Sequence, residues 1–433
     1  MRYEKYKYSG VQWIGEVPKH WDVIKTSLIF NNIGSGTTPS SSKHEYYDDN
    51  GDFWLQTGDL TDGPITDTSK KVTELAIKEC NLKFYSQNSV VIAMYGATIG
   101  KMGLLKIETA TNQACCVLPE NRRMNEKYTF YFFLSAKSDL LISAIGGGQP
   151  NISQDIIKKT KLLNPPLSEQ RAIADYLDER CGKINNAIEV QRKKIELLNE
   201  LKQTVITDAV TKGLNPDVPM KDSGVQWIGK VPEHWDVMRM RFTCEFRNGY
   251  TPSKANPDFW ENGTIPWYRM EDIRESGRFL NEAKQYITEE AVKGNGLFEA
   301  GSFILATTAT IGEHAVLIAD SLANQRFTNL KIRKSLSNRL SGNFFFFYLF
   351  VINDYCKSTT RIATFPAVNM DDLKNFGVTL PPIQEQKSIV AHIEKETAMI
   401  DSKISRANRR IELFEELKQS IITEAVTGKI KVC

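Results

Sequence analysis

Three stretches of this chain hold residue types that could do chemistry. Gly96-Ala97-Thr98-Ile99-Gly100-Lys101 has the glycines and the lysine of a phosphate-cradling loop. The glycine spacing is wrong for one, and Met102 stands where a Ser or Thr would reach a magnesium ion. A buried strand-turn fits the residues better. Pro257-Asp258 followed by Glu282-Ala283-Lys284 has the carboxylates and lysine of a metal-dependent nuclease, but scattered patterns of this kind arise by chance. Asn164-Pro165-Pro166-Leu167 is close to the tetrapeptide with which adenine-N6 methyltransferases hold a flipped base. That chemistry wants an aromatic ring in the fourth position for stacking, and here it is Leu. The prolines read better as punctuation ahead of a helix. The 7 cysteines are scattered, odd in number and without CxxC spacing, and the 5 histidines do not cluster. Both facts argue against a disulfide framework and a zinc site. With no catalytic constellation left standing, a recognition or scaffold component is expected.

The bulk properties are those of an ordinary globular chain. Its 433 residues suffice for two to four domains, and it is 41% hydrophobic and 25% charged. No run reaches the roughly 18 uncharged apolar residues of a membrane helix. Met1-Arg2-Tyr3-Glu4-Lys5 has no apolar signal region, so a cytoplasmic protein is expected. The net charge is only +3, from 55 basic and 52 acidic residues. Nucleic-acid affinity normally comes from neutralising phosphates, so a DNA-binding role would need positive charge from partners.

The strongest signal is an internal duplication. Ser9-Gly10-Val11-Gln12-Trp13-Ile14-Gly15 recurs unchanged as Ser223-Gly224-Val225-Gln226-Trp227-Ile228-Gly229, and His20-Trp21-Asp22-Val23 recurs as His234-Trp235-Asp236-Val237. The middles match loosely: Thr38-Pro39-Ser40 with Thr251-Pro252-Ser253, Ala97-Thr98-Ile99-Gly100 with Ala309-Thr310-Ile311-Gly312, and Asn112-Gln113 with Asn324-Gln325. In that alignment Glu313 replaces Lys101, which removes the phosphate loop again. The ends sharpen once more. Pro165-Pro166-Leu167 with Glu169-Gln170 matches Pro381-Pro382-Ile383 with Glu385-Gln386, and Glu200-Leu201-Lys202-Gln203 matches Glu416-Leu417-Lys418-Gln419. A period this long means duplicated domains, suited to a partner or target that comes in two halves.

The elements that would position such surfaces can be read coarsely. Ser89–Met94 and Ser302–Ala306 read as short buried strands, and 128–136 and 344–353 as buried helices. After each Pro-Pro, almost 50 residues pass without proline. Ser168 offers an N-cap. Apolar residues then recur at Ile184, Ile188, Ile195, Leu198, Val205 and Ala209, and again at Ile400, Ile404, Ile411, Phe414, Ile421 and Ala425. Spacings alternating between three and four predict a coiled-coil seam, interrupted at matching points by Lys202 and Lys418. The alternative is two amphipathic helices, each packed on its own domain.

Two variable segments, each opened and closed by these motifs, resemble the specificity subunit of type I restriction–modification systems. The resemblance covers essentially the whole chain. It implies an α+β fold class: two α/β target-recognition domains (1–165 and 216–381) separated by two long helices (within 166–215 and 382–433) forming an antiparallel coiled coil, as a pseudo-twofold duplication. Each domain would read one half of a bipartite, gapped target in double-stranded DNA, and the helices would set the gap. Two methyltransferase (M) subunits and the restriction (R) subunits would be the partners, with no membrane. No cofactor is expected in this chain. S-adenosylmethionine, ATP and Mg²⁺ would belong to the partners, with adenine methylation and cleavage.

Base edges are read by polar and basic side chains from loops. In the first domain this favours Ser35, Thr37, Thr38, Ser41, Lys43, Gln56, Tyr95, Thr98, Gln149 and Asn151 as DNA-binding residues. In the second it favours Arg247, Asn248, Tyr250, Lys254, Tyr268, Arg269, Thr308, Arg361 and Thr364. Asn112 and Asn324 recur too strictly, with their glutamines, to be discriminating. The competing expectations are a coiled-coil scaffold without DNA readout and a self-contained methyltransferase or nuclease.

Overall fold

The structure is a computed structural model and describes residues 2–144, 150–308, 311–359 and 368–432. Two continuous helices dominate it, Leu167–Lys212 with 46 residues and Ile383–Val426 with 44. Each starts as soon as its proline pair ends. The carbonyl of Pro166 accepts from Gln170 N at 3.0 Å, and that of Pro382 from Gln386 N at 3.0 Å. Ser168 therefore lies inside the first turn instead of capping it. The second proline already supplies the first helical acceptor.

The chain divides into two compact units, Met1–Arg192 with Asn408–Cys433, and Lys193–Ala407. The division falls inside both helices. Each unit therefore holds the N-terminal part of one long helix and the C-terminal part of the other, which is an antiparallel arrangement. In the first unit, the core formed by Ile173, Ala174, Leu177 and Cys181 is completed by Ile422, Ala425 and Val426. In the second, Ile389, Val390 and Ile393 share a core with Ile206, Ala209 and Val210.

The predicted seam is present in part: Ile195, Ile404, Ile411 and Phe414 are only partly buried. Ile184, Ile188, Leu198, Ile400 and the two alanines Ala209 and Ala425 are buried, but Ile206 and Ile422 are the buried neighbours where the heptad reading chose Val205 and Ile421. A straight helix drifts by about 20° per heptad against a strict seven-residue repeat, which carries burial to the next position. The interrupting lysines are explained by their partners. Lys202 Nζ donates to Asp401 Oδ1 at 2.7 Å in the second unit, and Lys418 Nζ donates to Asn185 Oδ1 at 2.9 Å in the first.

Each unit carries an α/β domain built on a five-stranded sheet. In the first its order is Gly34–Ser35, Cys115–Leu118, Val90–Ala93, Met102–Leu105, Gly63–Ile65. In the second it is Cys244–Asn248, Phe327–Ile332, Phe303–Ala306, His314–Leu317, Phe279–Leu280. The last pairing is parallel in both and the others are antiparallel. The expected aromatic helices, Glu126–Ser135 and Gly342–Thr359, pack into the cores. Opening and closing segments of each half also pair as a two-stranded ribbon, Asp22–Lys25 with Lys161–Asn164 and Asp236–Arg239 with Gly377–Leu380.

The repeated motifs lock these parts together at the first turn of each long helix. Glu169 accepts from Trp21 Nε1 at 3.0 Å and Tyr3 OH at 3.0 Å, with His20 Nε2 at 2.7 Å. Glu385 repeats this with Trp235 Nε1 at 3.1 Å and His234 Nε2 at 2.8 Å. The next residue, fully buried, ties in a third segment. Gln170 accepts from Asn125 N at 2.7 Å and donates to Pro165 O at 2.9 Å. Gln386 accepts from Ser341 N at 2.8 Å and donates to Pro381 O at 2.8 Å.

Two tests follow from this lock. Gln170→Leu leaves Asn125 N and Pro165 O without partners, at about 1–3 kcal/mol for each buried group. Urea unfolding should show that loss, and an unchanged midpoint would refute the bonding described. Burial pushes the Glu169 carboxyl up, but hydrogen bonds from His20, Trp21 and Tyr3 outweigh it, and the net shift is below the ordinary 4.5. A lowered carboxyl stabilises the fold above its unfolded value and loses that contribution as pH falls through its folded value. Stability should therefore decline below pH 4.5. Glu169→Gln should flatten that acid limb when unfolding is followed against pH.

Candidate nucleic-acid interface

At one end of each five-stranded sheet, loops distant in sequence are stitched together through their backbones. In the first unit Asn112 N donates to Leu55 O at 3.0 Å, and Gly36 N to Asn112 O at 3.3 Å. Met94 N donates to Ala114 O at 2.8 Å, while Met94 O accepts from Ile152 N at 2.8 Å. In the second unit Asn324 N donates to Tyr268 O at 3.1 Å, and Tyr250 N to Ala323 O at 2.9 Å. Thr307 N donates to Arg326 O at 2.9 Å, and Thr307 O accepts from Val368 N at 2.9 Å.

The side chains that hold this junction are repeated as well. Asn112 Oδ1 accepts from Ala114 N at 3.2 Å and Asn324 Oδ1 from Arg326 N at 3.0 Å, so both asparagines are turn formers. Trp54 Nε1 donates to Thr37 O at 3.2 Å, and Trp267 Nε1 to Tyr250 O at 3.0 Å. Thr38 donates to the exposed Gln113, and Thr251 Oγ1 to the exposed Gln325 at 2.5 Å. Asp59 accepts from Gln56 N at 2.8 Å, and Asp272 from Arg269 N at 2.6 Å. The Trp and Asp pairs escaped the sequence reading. Their signal was there: in each half a tryptophan precedes an aspartate by the same spacing, in step with Thr38 and Thr251. Gly36 and Gly249 serve this close approach, since an added Cβ would overlap the Thr111 carbonyl or the Ala323 and Asn324 carbonyls.

Ser35, Thr37, Thr38, Gln56, Tyr95 and Asn151 sit on or next to this junction in the first unit, as do Tyr250, Arg269 and Thr308 in the second, while Thr98 lies in the neighbouring hairpin turn. Several of them are already engaged. Ser35 Oγ accepts from Gln154 Nε2 at 2.9 Å, and Tyr250 OH donates to Ala291 O at 2.9 Å and accepts from Lys293 N at 2.8 Å. Asn248 is exposed at the adjoining strand end and accepts from Thr328 Oγ1 at 3.1 Å. Ser41 and Lys254 are exposed further along their loops. Lys43 donates to Tyr46 OH at 2.7 Å and pairs with Glu79 at 3.2 Å, and those hydrogen bonds hold its pKa above the ordinary lysine range. Gln149, Arg361 and Thr364 lie outside the described residues.

Two sequence expectations need correction. Tyr268 has no exposed surface. Its hydroxyl donates to Leu280 O at 3.2 Å, and burial pushes its pKa up to about 12. It ends a strand with its side chain facing the core. Arg247 spends its guanidinium on Leu297 O and Gly296 O, both at 2.8 Å, and lies over the Phe298 ring. It braces a loop.

The chemical stretches of the sequence find structural roles. Gly96–Lys101 is a hairpin turn, closed by Ala93 N to Lys101 O at 2.8 Å and Gly100 N to Ala93 O at 2.9 Å. Asn164 Oδ1 accepts from Gln170 Nε2 at 3.2 Å, at the helix start. Lys284 is ion-paired with Glu275. Burial pushes the Cys116 and Cys244 thiols up to about 12, far from a reactive thiolate. Among the described residues no group of three or more His, Cys, Asp or Glu could hold a metal, and no helix is long and apolar enough to cross a membrane.

Comparison with known proteins shows the family and the fold. The family model described as "Type I restriction modification DNA specificity domain" matches residues 18–199 and again 232–412. The EcoprrI specificity subunit of Escherichia coli is 44% identical over 160 residues, which are 37% of this chain and 39% of that protein. The MjaVIII specificity subunit of Methanocaldococcus jannaschii is 24% identical over 430 residues, 96% of this chain and 94% of that one. A chain from a solved type I R-M system, studied for its complex assembly and conformational transition, shares the fold. Its TM-score is 0.69 at 16% identity, over 96% of this chain and 99% of that one.

The junction itself can be tested. Gly249→Ala forces its loop off the Ala323 and Asn324 carbonyls. Overpacking of this kind costs about 1–3 kcal/mol. The thermal midpoint should fall and proteolysis within Tyr250–Lys254 should accelerate. A variant as stable and as protease-resistant as the parent would show that the close approach is not needed.

Proposed function

The chain belongs to the type I restriction–modification DNA specificity family, and on that premise we propose that it is the non-catalytic subunit that reads a two-part DNA target on behalf of partner subunits. The observation that supports this most is the junction of polar loops, built twice on one repeated frame with different side chains around it. A frame repeated with altered side chains is what two dissimilar half-sites call for. Nearly identical opening and closing motifs suit one kind of partner bound twice.

In this reading each recognition domain takes one half-site of a gapped, asymmetric target. Two methyltransferase subunits dock on the constant parts and methylate adenine in each half, and restriction subunits join that core. S-adenosylmethionine, ATP and Mg²⁺ act on those partners. The charge balance fits the division of labour. Residues 1–165 carry 19 basic and 17 acidic side chains, and residues 217–381 carry 19 of each. Neither is a strong electrostatic binder alone, so partners supply much of the positive field.

The deciding experiment is a genome-wide map of N6-methyladenine in cells expressing the candidate methyltransferase subunit with and without this chain. A gapped, asymmetric motif that vanishes without the chain is the expected result. An unchanged map, with the partner active and bound, would reject the reading in favour of a scaffold. The long helices as the ruler of the gap are tested separately. Deleting one heptad from the matched stretch of each should shorten the spacing by about 10 Å. At about 3.4 Å per base pair the gap should then contract by roughly three base pairs. A gap of unaltered length in a variant that still binds would rule the helices out.

A further inference from the structure

We propose that Gln56 and Arg269 are a single position of the fold, occupied twice, and that this position makes the two half-sites differ in sequence. The inference rests on the DNA-reading function above and deepens it.

Three independent bonds fix the equivalence. The carbonyl just before each residue accepts from the asparagine of the Asn-Gln turn, Leu55 O from Asn112 N at 3.0 Å and Tyr268 O from Asn324 N at 3.1 Å. The backbone N–H of each donates to the aspartate three residues on. The other oxygen of that aspartate accepts from a further loop, from Ser69 N at 3.1 Å and from Lys284 N at 2.9 Å. The tryptophan two residues earlier is held by the Gly-x-Thr-Pro-Ser loop in both units. The two side chains are therefore launched from the same backbone frame, and both are half-exposed.

Among the described residues next to the Asn-Gln turn, this is a position where the two units differ. The Thr38–Gln113 and Thr251–Gln325 pairs are the same in both units, so they cannot tell two half-sites apart. Thr37 and Tyr250 differ, but the Tyr250 hydroxyl is spent on its own domain. Tyr95 and Thr308 differ, but Tyr95 packs on the core. At position 56 and 269 the chemistry itself changes. A glutamine amide offers one donor and one acceptor, the match for adenine N6 and N7. A guanidinium offers parallel donors, the match for guanine O6 and N7. Arg269 Nη2 is ion-paired with Glu271 and its Nε is buried, so only part of the guanidinium fork is left to meet a base.

The test uses the full chain assembled with its methyltransferase partner and DNA libraries in which each half-site is randomised in turn. Arg269→Gln should change one position of the second half-site from guanine to adenine and leave the first half-site as it was. Gln56→Arg should do the reverse in the first. Gln56→Ala and Arg269→Ala should lower discrimination at that one position by about ten- to a hundred-fold. The untouched half-site reports that each variant complex is folded and loaded. Alanine variants that keep the parental preference at every position overturn the inference. So do alanine variants that lose a whole half-site, or both, with no single position standing out, because the role is then structural. A parental complex that selects no two-part target rejects the DNA-reading function itself, a separate result.

Discussion

A carboxylate and an amide, side by side at the first turn of each long helix, are the constraint on which the rest of this molecule depends. A helix N-terminus presents unsatisfied N–H groups and a partial positive charge, so an acidic side chain is favoured there. Glu169 and Glu385 use that place to capture a tryptophan that lies about 150 residues earlier in the chain. Gln170 and Gln386, buried beside them, bridge the start of the aromatic helix region to the proline pair. Hydrogen bonds to a charged group contribute about 1.5–3 kcal/mol each, against about 0–1 kcal/mol for exposed ion pairs such as Lys202–Asp401. The lock at the helix start therefore outweighs the polar contacts along the helices. It also explains why the two copies of these motifs have stayed nearly identical while the middles have diverged.

The closing end of each helix completes the same logic. Gly213 and Gly428 stop the helices with φ of +78° and +70°, where a side chain would meet Trp235 and Trp21 respectively. The tryptophan held by a glutamate at one helix's start thus also receives the other helix's end. A single indole serves both contacts in each unit. That places the burden of the architecture on a few large buried side chains, where loss of packing is expensive.

The recognition domains show how a frame can stay fixed while its surface changes. The bonds that gather the loops run mostly from backbone to backbone, or between a backbone group and the side chain of a buried Trp or of an Asn or Asp. Such bonds do not depend on what the exposed side chains are. Glutamine can stand in one copy and arginine in the other without disturbing the junction. The bonds that hold the junction and the side chains exposed on it are different atoms, so the second can vary while the first are kept.

The sequence alone determined the duplication, the long proline-free helices and the fold class. These are local or repeated patterns, and a helix's periodicity or a recurring heptapeptide can be read without knowing what it touches. It also located most of the loops that converge at the junction, because turn residues mark them. Tertiary structure decided the rest. Ile206 and Ile422, not Val205 and Ile421, are buried, because a real helix turns slightly away from a strict heptad. Lys202 and Lys418 made sense only once Asp401 and Asn185 were beside them. Tyr268 and Arg247 were removed from the set of available side chains by contacts with Leu280, Leu297 and Gly296, which lie 12 to 50 residues away in the chain. Gln56 and Arg269 became one position by the reverse process, through hydrogen bonds to an Asn-Gln turn more than 50 residues on. Residue type and spacing say which groups could act. Which of them are free to act depends on long-range hydrogen bonds and burial, and those exist only in the folded chain.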